Sequence, residues 1–337
     1  MNVTDGSASV KLSRATKLST SSIFPFESNA IVGIEEENGQ TYLLTQAGKG
    51  LYQMKGAAFN LQKKYRLKVQ SVDGNKYSSS FIEILQTPPI DSISWKPSID
   101  GVNINVSSTG TASTSRYYKW NYIETWKYHS EFYSALKIID EVVYSRFPEE
   151  QIYFCWRTTN SSQILINSTD SFNKNSISKF PLIFLPVGSE KLTIKYSVLV
   201  QQTSLTEASY NFFDQLQKTT QNLGGLFDPL PSKVTGNIIN ENNPEEKVLG
   251  YFYGSSMETK RIFISNASLP QSLQKTPSKL ECSLVNVLFE NYSKRAKSLI
   301  IIGSYGAPFT VGYSFSYSEC IDCRVQGGTT TEPLFWK

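Results

Sequence analysis

The stretch Tyr117-Tyr-Lys-Trp-Asn-Tyr-Ile-Glu-Thr-Trp-Lys-Tyr128 places a large side chain at nearly every second position and predicts one long β-strand. Successive side chains of a strand point to opposite faces, so one face of this strand is almost wholly aromatic. That face carries Tyr118, Trp120, Tyr122, Glu124, Trp126 and Tyr128. We interpret it as the core face of a sheet. The alternative is a stacking platform for a sugar or cyclic ligand, with Trp126 and Tyr128 as contacts if that strand end is exposed.

Glu124 lies in the middle of this aromatic face. A carboxylate among aromatic side chains must be paired with a cation or become protonated. Arg157, which follows Cys155-Trp156, is the predicted partner, so that Glu124 and Arg157 form a structural ion pair. A general acid is the alternative reading of Glu124, but the sequence places no second carboxylate to work with it.

Residues 1–90 are predicted to form an immunoglobulin-like β-sandwich domain. Residues 30–34 and 41–44 flank the turn dipeptide Asn38-Gly39, and an alternating strand at 65–69 is followed by a second turn at Asp73-Gly74. Short strands separated by turn residues at this spacing are typical of a small antiparallel sandwich. Pro88-Pro89 interrupts the ladder, because proline lacks the backbone donor, and marks the predicted domain boundary.

Residues 91–337 are predicted to form a larger antiparallel β domain with one or two short helices. Strand patterns recur at 102–106, 163–166, 192–200, 260–265 and 298–303. A helix is predicted near 204–223. Ser204 would be its N-cap, Glu207 would complete a capping box, and Gly224-Gly225 would end it. The fold class is therefore mainly β.

The chain ends in a tail that contains Cys320-Ile-Asp-Cys323 and finishes on Phe335-Trp336. Two cysteines at this spacing could form a metal knuckle, a redox pair or the ends of separate disulfides. Only one close pair exists, whereas structural zinc sites usually use two close pairs, so we favour disulfides in an oxidising compartment. A Cys320–Cys323 bridge is the least favoured pairing. Either tail cysteine could therefore reach back to Cys155 or Cys282, and the tail would be stapled onto the second domain with Phe335-Trp336 packed beneath.

The composition limits the chemistry that the chain can perform. Its net charge is only +4, spread along the chain, and this gives no electrostatic case for nucleic acid. The single histidine, His129, has no nucleophile elbow near it, and no phosphate loop, dinucleotide fingerprint or calcium loop is present. We therefore predict a protein that is not an enzyme and carries no cofactor or metal. No apolar run is long enough for a membrane-spanning helix.

No signal peptide is visible at the start of the chain, where Met1-Asn-Val-Thr-Asp-Gly6 reads directly as strand and turn. We therefore expect that any export signal or lipid anchor precedes this sequence and has been removed. Asn-x-Ser/Thr triplets, such as those that begin at Asn105, Asn160, Asn167, Asn266 and Asn291, would matter only in a eukaryotic adhesion ectodomain, a class that we consider third.

The order of motifs along nearly the whole chain resembles the exported lipoprotein family of Bacteroidota known as domain of unknown function 4249. The matching stretches are Tyr77-Ser78, Pro89-Ile-Asp-Ser-Ile93, Tyr117-Tyr-Lys-Trp120, Glu124-Thr-Trp126, Cys155-Trp156, residues 196–206, residues 224–228, Pro231-Ser232, Gly236-Asn-Ile238, residues 249–252, residues 260–263 and the tail from Cys320 to Trp336.

This resemblance implies a location and partners. Members look like lipoproteins anchored through an N-terminal lipidated cysteine, which this sequence lacks, so membrane attachment would be only through an anchor missing from the chain. They typically accompany TonB-dependent outer-membrane transporters. The expected role is thus a non-catalytic lipoprotein at the cell surface, in the outer membrane. It would help such a transporter capture an unknown small-molecule, peptide or glycan cargo. The alternative is a structural or assembly subunit of an outer-membrane complex with no nutrient ligand.

Any ligand site is expected in the loops of the second domain, because loops on a rigid scaffold carry most binding sites. Besides Trp126 and Tyr128, the loop 226–243 after the predicted helix is a candidate.

Overall fold

A computed structural model of the chain describes residues 1–14, 25–220, 234–274 and 281–336. The fold is mainly β, and every pair of neighbouring strands in it is antiparallel, as predicted. The described residues form an N-terminal sheet, a central sandwich and a smaller C-terminal sheet.

The N-terminal sheet contains seven strands in the order β1-β4-β3-β2-β5-β6-β16. Its strands are β1 (Ala8–Lys11), β2 (Ile31–Glu36), β3 (Thr41–Gly48), β4 (Leu51–Met54), β5 (Tyr65–Gln70), β6 (Lys76–Ser79) and β16 (Ile238–Asn240). The first half of β3 pairs with β2 and its second half pairs with β4, so the sheet curls around an apolar core. The predicted hairpin at Asn38-Gly39 is confirmed, with Asn38 at a positive φ of 58°. A sandwich-like arrangement of residues 1–90 fits this curled sheet.

The N-terminal unit also recruits chain from the second half of the sequence. Strand β16 pairs with β6 at one edge, and Phe252 is buried in the N-terminal core. Ser255 forms bridges with both Asn2 and Leu85. The chain therefore returns to the N-terminal sheet after Pro88-Pro89, and the domain boundary at that dipeptide stays a prediction.

The central sandwich consists of two facing antiparallel sheets. One has the order β14-β8-β7, and the other has the order β12-β9-β15-β17 with β13 paired to β9. Its strands are β7 (Ile90–Ser98), β8 (Gly101–Thr109), β9 (Tyr117–His129), β12 (Phe154–Asn160), β13 (Leu165–Ser168), β14 (Ser176–Pro186), β15 (Lys195–Leu205) and β17 (Met257–Ser265). Every even-numbered residue of β9 from Tyr118 to Tyr128 is buried between the two sheets. The interpretation of this face as core is confirmed.

The C-terminal lobe is built on a three-stranded sheet with the order β18-β20-β19 and a separate hairpin of β10 and β11. Its strands are β10 (Leu136–Ile139), β11 (Val142–Ser145), β18 (Val285–Leu288), β19 (Ile300–Tyr305) and β20 (Gly312–Ser316). The hairpin is held against β19, where the backbone of Ala135 donates to the carbonyl of Ile302 at 2.9 Å. We use the name C-terminal lobe for these five strands and the loops that join them.

Helices are few among the described residues. They comprise α1 (Glu207–Thr220), α2 (Ser318–Ile321) and the short 3-10 helices Pro148–Glu150, Glu190–Leu192, Asn266–Ser268, Gln271–Leu273, Phe289–Lys294 and Cys323–Gln326.

The predicted helix is present, but its predicted N-cap is wrong. Ser204 is still part of β15, paired with Tyr118, because its backbone N–H donates to the hydroxyl of Thr87 across the domain boundary. Thr206 caps α1 instead, since its hydroxyl accepts from the backbone N–H of Ser209. The predicted stop at Gly224-Gly225 lies outside the described residues.

A buried polar cluster fixes the junction at Pro88-Pro89. The side-chain amide of Gln202 donates to the carbonyl of Pro88 and to the hydroxyl of Ser108, both at 2.8 Å. The indole of Trp120 donates to Gln202 at 2.8 Å. Since buried polar groups cost free energy when they lose their partners, this cluster ties the linker to the aromatic core.

Candidate functional site

All four cysteines form disulfides, as predicted. Cys155 of β12 is bonded to Cys323, and Cys282 is bonded to Cys320. The sequence left two long-range pairings open, and the structure has the nested one. The loop closed by Cys282–Cys320 spans 38 residues and lies within the 168-residue loop closed by Cys155–Cys323. The first bond joins the tail to the central sandwich, and the second joins it to the segment leading into β18.

The tail then crosses the outer face of the central sandwich. Thr329 and Trp156 exchange both backbone hydrogen bonds, at 2.8 and 2.9 Å, so the tail extends the β12 edge. Gly328 allows this approach, because a Cβ there would lie 2.3 Å from the hydroxyl oxygen of Tyr128. Trp336 is buried and meets the rings of Trp156 and Phe263 edge-on. The predicted packing of the tail is confirmed for Trp336.

Cations alternate with aromatic rings along this covered face. Lys127 lies over the rings of both Phe154 and Trp156, at 4.9 and 4.7 Å. The guanidinium of Arg261 lies 3.6 Å from the centroid of Phe335 and donates to Ser197. Burial lowers the pKa of Arg261 below its ordinary value. The cation–π contact between Arg261 and Phe335 secures the tail, and we call residues 320–336, with the disulfides, the clasp.

The predicted partner of Glu124 is wrong. Both carboxylate oxygens accept from Lys191, at 2.8 and 2.7 Å, and Tyr196 donates to one of them at 2.8 Å. Arg157 lies opposite Trp126 in the strand register and stacks over that ring, on the exposed edge strand β12. Lys191 reaches Glu124 because the 3-10 helix Glu190–Leu192 closes the end of the sandwich. The ion pair is buried on the side of Glu124 and braces the fold.

The condition for ligand contact at Trp126 and Tyr128 is not met, because both rings are buried. The indole of Trp126 donates to Glu190 at 3.0 Å. The hydroxyl of Tyr128 donates to the carbonyl of Cys323 at 2.7 Å, and burial raises the pKa of Tyr128 to about 12. These side chains therefore anchor the end of the sandwich and the clasp.

The candidate loop 226–243 is described only from residue 234 onward. Within it, Ile238–Asn240 form the edge strand β16, and Asn240 is buried with its side chain bonded to Glu246. Residues 226–233 lie outside the described residues. The described part of the loop is thus engaged in the N-terminal sheet.

His129 is also engaged in packing. Its ring stacks on Tyr153 at 4.9 Å, and its Nδ1 lies 2.6 Å from the carbonyl oxygen of Ser130. Across the described part of the chain, no three or more His, Cys, Asp and Glu side chains are grouped to hold a metal ion. None of the described helices combines the length and the apolar composition needed to cross a bilayer.

The C-terminal lobe carries large apolar side chains that no other part of the described chain covers. Phe309, in the turn between β19 and β20, is 78% exposed. Tyr305 and Val311 flank it and are linked through the backbone, since Val311 donates to the carbonyl of Tyr305. The hairpin adds four more such side chains. The exposed large hydrophobic residues of the lobe are Ile139, Val142, Tyr144, Phe147, Leu284, Leu288, Phe289, Tyr305, Phe309 and Val311.

The two halves of this apolar surface lie next to each other. Tyr292 donates to the carbonyl of Glu141 in the hairpin turn, and its ring also contacts Tyr313 of β20. Phe289 contacts Tyr313 and donates through its backbone to Val311. Monomeric soluble proteins rarely expose large contiguous apolar patches without a binding role. The exposed surface of the lobe is therefore the candidate functional site.

Sequence reasoning missed this site because its residues come from separate segments with no shared motif. The only signal was local: Phe309 lies in Gly306-Ala-Pro-Phe309, a turn where a large apolar residue has no strand face to occupy. That signal identifies one exposed side chain and not the neighbouring hairpin.

The fold is that of a mainly β protein built from antiparallel sheets and braced by two disulfides. The chain belongs to the family called domain of unknown function (DUF4249), which matches residues 1–261. The resemblance drawn from the motif order is thus confirmed at the level of the family. Comparison with curated proteins finds no match. The C-terminal lobe, apart from its hairpin, and the clasp follow the matched region.

Proposed function

We propose that this protein is a non-catalytic lipoprotein of the bacterial cell surface, an accessory subunit of a TonB-dependent outer-membrane transporter in Bacteroidota. The observation that carries the proposal is the uncovered apolar surface of the C-terminal lobe on a braced β scaffold. Burial of apolar surface is the dominant favourable term in protein association, so a patch of this kind suits a stable partner.

The disulfides support the exported location. Two disulfides in a chain with no free cysteine are typical of an oxidising compartment, and they are rare in the cytosol. A lipid anchor ahead of Met1 would hold the protein at the outer membrane beside its partner. The cargo would be a small molecule, peptide or glycan, and the low net charge of +4 gives no reason to expect nucleic acid.

A structural or assembly subunit is the second candidate function. Burial of Trp126 and Tyr128 favours it, because the aromatic strand then offers no stacking platform for a cargo. In this role the lobe would still contact a membrane-embedded partner, but deletion of the gene would produce a general envelope defect. A capture subunit would produce a nutrient-specific growth defect.

The test is affinity purification of the lipidated full-length protein from detergent-solubilised outer membranes of the native cell. We expect a TonB-dependent transporter barrel to be recovered in stoichiometric amount. Recovery of the lipoprotein alone, under detergent conditions that preserve other outer-membrane complexes, would overturn the proposal.

A further inference from the structure

The hairpin of β10 and β11 presents one outward face that is apolar. Ile139 pairs with Val142 and Lys137 pairs with Tyr144, so these four side chains share a face. Lys137 lies over the ring of Phe147, which brings that ring beside them. Ile139, Val142, Tyr144 and Phe147 are between 47% and 59% exposed. The opposite face, with Ile138 and Val143, is half-buried.

Several charges around this face are paired within the protein, and Asp140 of the turn is a charge beside it that forms no ion pair among the described residues. Lys137 is paired with Glu150, and Glu141 in the turn is paired with both Lys297 and Arg295. These partners lower the pKa of Glu141 and of Glu150. A face whose rim carries these ion pairs and a single unpaired carboxylate offers little attraction to a polyanion and only one contact to a polycation. It suits an apolar surface without net charge.

The outer edge of the hairpin has unpaired backbone groups. Asp140 and Glu141 both have positive φ, which defines a two-residue turn in which Ile139 and Val142 form a hydrogen-bonded pair. Hydrogen-bonded pairs alternate along an antiparallel ladder, so the backbone groups of Val143 and Ser145 point away from β10. Among the described residues, no hydrogen bond reaches those groups.

We propose that β11 is a docking edge, onto which a partner protein adds an extended strand with apolar side chains at alternate positions. The partner's backbone would pair with Val143 and Ser145, and its side chains would cover Val142 and Tyr144. Proteins usually protect such edges with lysine, proline, a bulge or a very short strand; Val142-Val-Tyr-Ser145 has only 4 residues but carries no lysine, proline or bulge. A lipid surface would leave these backbone groups unpaired, so a strand of a protein is the better occupant.

This inference rests on the proposed function, because the expected owner of that strand is the transporter. It is tested with two variants of the lipidated full-length protein. Val143→Pro removes the outward N–H without removing a hydrogen bond of the hairpin, and Val142→Lys with Tyr144→Lys charges the apolar face. The matched control is Ile31→Lys with Leu43→Lys, which charges two strand residues of the N-terminal sheet that are 60% and 65% exposed.

We expect each hairpin variant to lower the amount of co-purified transporter about tenfold or more, as loss of a central contact does, while the control retains it. Circular dichroism and thermal unfolding of all three proteins show whether they remain folded. Retention of the transporter by both folded hairpin variants would overturn the docking edge and leave the proposed function standing. If one hairpin variant unfolds, the docking edge is tested by the other variant and by the photo-cross-linking described next.

A photo-cross-linker separates failure of the docking edge from failure of the proposed function. Tyr144→p-benzoylphenylalanine is compared with the same change at Phe184, an exposed aromatic residue of β14. An adduct with the transporter at position 144 alone supports both proposals. A second outcome is that the wild-type protein retains no transporter and cross-links to another protein at position 144. If Val143→Pro abolishes that adduct, the result supports the docking edge and not the proposed function. An adduct with lipid, an adduct with a second copy of this chain, or no adduct overturns it.

Discussion

The central sandwich and the C-terminal lobe are both antiparallel β structures with buried apolar side chains, yet the lobe leaves more of its large apolar residues exposed. In the sandwich, Trp120 and Tyr196 are fully buried, and even Glu124 is enclosed with its cation. In the lobe, side chains of similar size such as Tyr144 and Phe309 are exposed. The difference indicates a division of roles, because buried aromatic surface stabilises the fold whereas exposed apolar surface is available for association.

The ion pairs of the two regions differ in the same way. Glu124 and Lys191 form a pair inside the sandwich, with the carboxylate almost removed from water. Glu141 and Lys297 form a pair at the tip of the lobe, with both side chains more than half exposed. A pair of the first kind leaves a costly buried charge when one partner is removed, and a pair of the second kind contributes little. The comparison can be tested with four measurements.

The largest expected effect comes from the clasp, which joins the two regions. On chain-entropy grounds, replacing Cys155 and Cys323 by alanine should lower the free energy of unfolding by about 5 kcal/mol, and replacing Cys282 and Cys320 by about 4 kcal/mol. Loss of Cys155–Cys323 should destabilise the sandwich, which is measured by tryptophan fluorescence during urea unfolding. Loss of Cys282–Cys320 should loosen the lobe first, which is measured by faster hydrogen exchange of β18 and β20. A sandwich weakened more by loss of Cys282–Cys320 would contradict the division between the regions.

The second effect compares the two ion pairs directly. Lys191→Ala should lower the free energy of unfolding by about 3 kcal/mol, because Glu124 would remain buried with only Tyr196 as a partner. Lys297→Ala should change it by less than about 0.5 kcal/mol, since that pair is exposed to solvent. Urea unfolding of the two variants gives both values. Equal losses would show that the lobe pair is structural to the same degree as the buried one.

Much of the sandwich could be predicted from the sequence, because strict alternation over β9 has only one good structural solution: burial of the aromatic face. The disulfides could also be predicted, but their connectivity depends on which tail cysteine reaches the β12 edge. The partner of Glu124 could not be predicted, since Lys191 lies 67 residues away in a 3-10 helix. Arg157 lies on β12, which does pair with the strand that carries Glu124. The register, however, places Arg157 opposite Trp126.

The hairpin of the lobe could not be predicted either. Leu136-Lys-Ile-Ile-Asp-Glu-Val-Val-Tyr144 lacks alternation, and its turn uses Asp140 and Glu141 where glycine or asparagine is usual. Local propensity is therefore poor at this turn, and its two pairings with Lys297 and Arg295 compensate. Local signals thus failed at the proposed docking edge, and such a mismatch between local propensity and fold is common at functional sites.

The third effect concerns the exposed rings of the lobe, whose removal should change the free energy of unfolding only slightly. Tyr144→Ala and Phe309→Ala should each change the free energy of unfolding by less than about 0.5 kcal/mol, because neither ring is buried in the isolated protein. Trp120→Ala is the contrasting change and should lower it by about 3 to 5 kcal/mol. A loss of several kcal/mol at Tyr144 would mean that the hairpin face is part of the core, and it would remove the argument for an open docking surface.

The smallest effect is the response of the hairpin to acid. Lys297, followed by Arg295, lowers the pKa of Glu141 below its ordinary value of 4.5, and Lys137 does the same for Glu150. A carboxyl group with a lowered folded-state pKa stabilises the fold above its ordinary pKa, and that contribution is lost as the pH falls through the folded-state value. The hairpin should therefore loosen below pH 4.5 while the sandwich stays closed. NMR would show this as a change in the methyl signals of Ile139 and Val142 at a pH where those of Val198 and Val200 stay unchanged. Glu141→Gln with Glu150→Gln should abolish this pH dependence; if the hairpin signals still move in that variant, other groups hold the hairpin to the lobe.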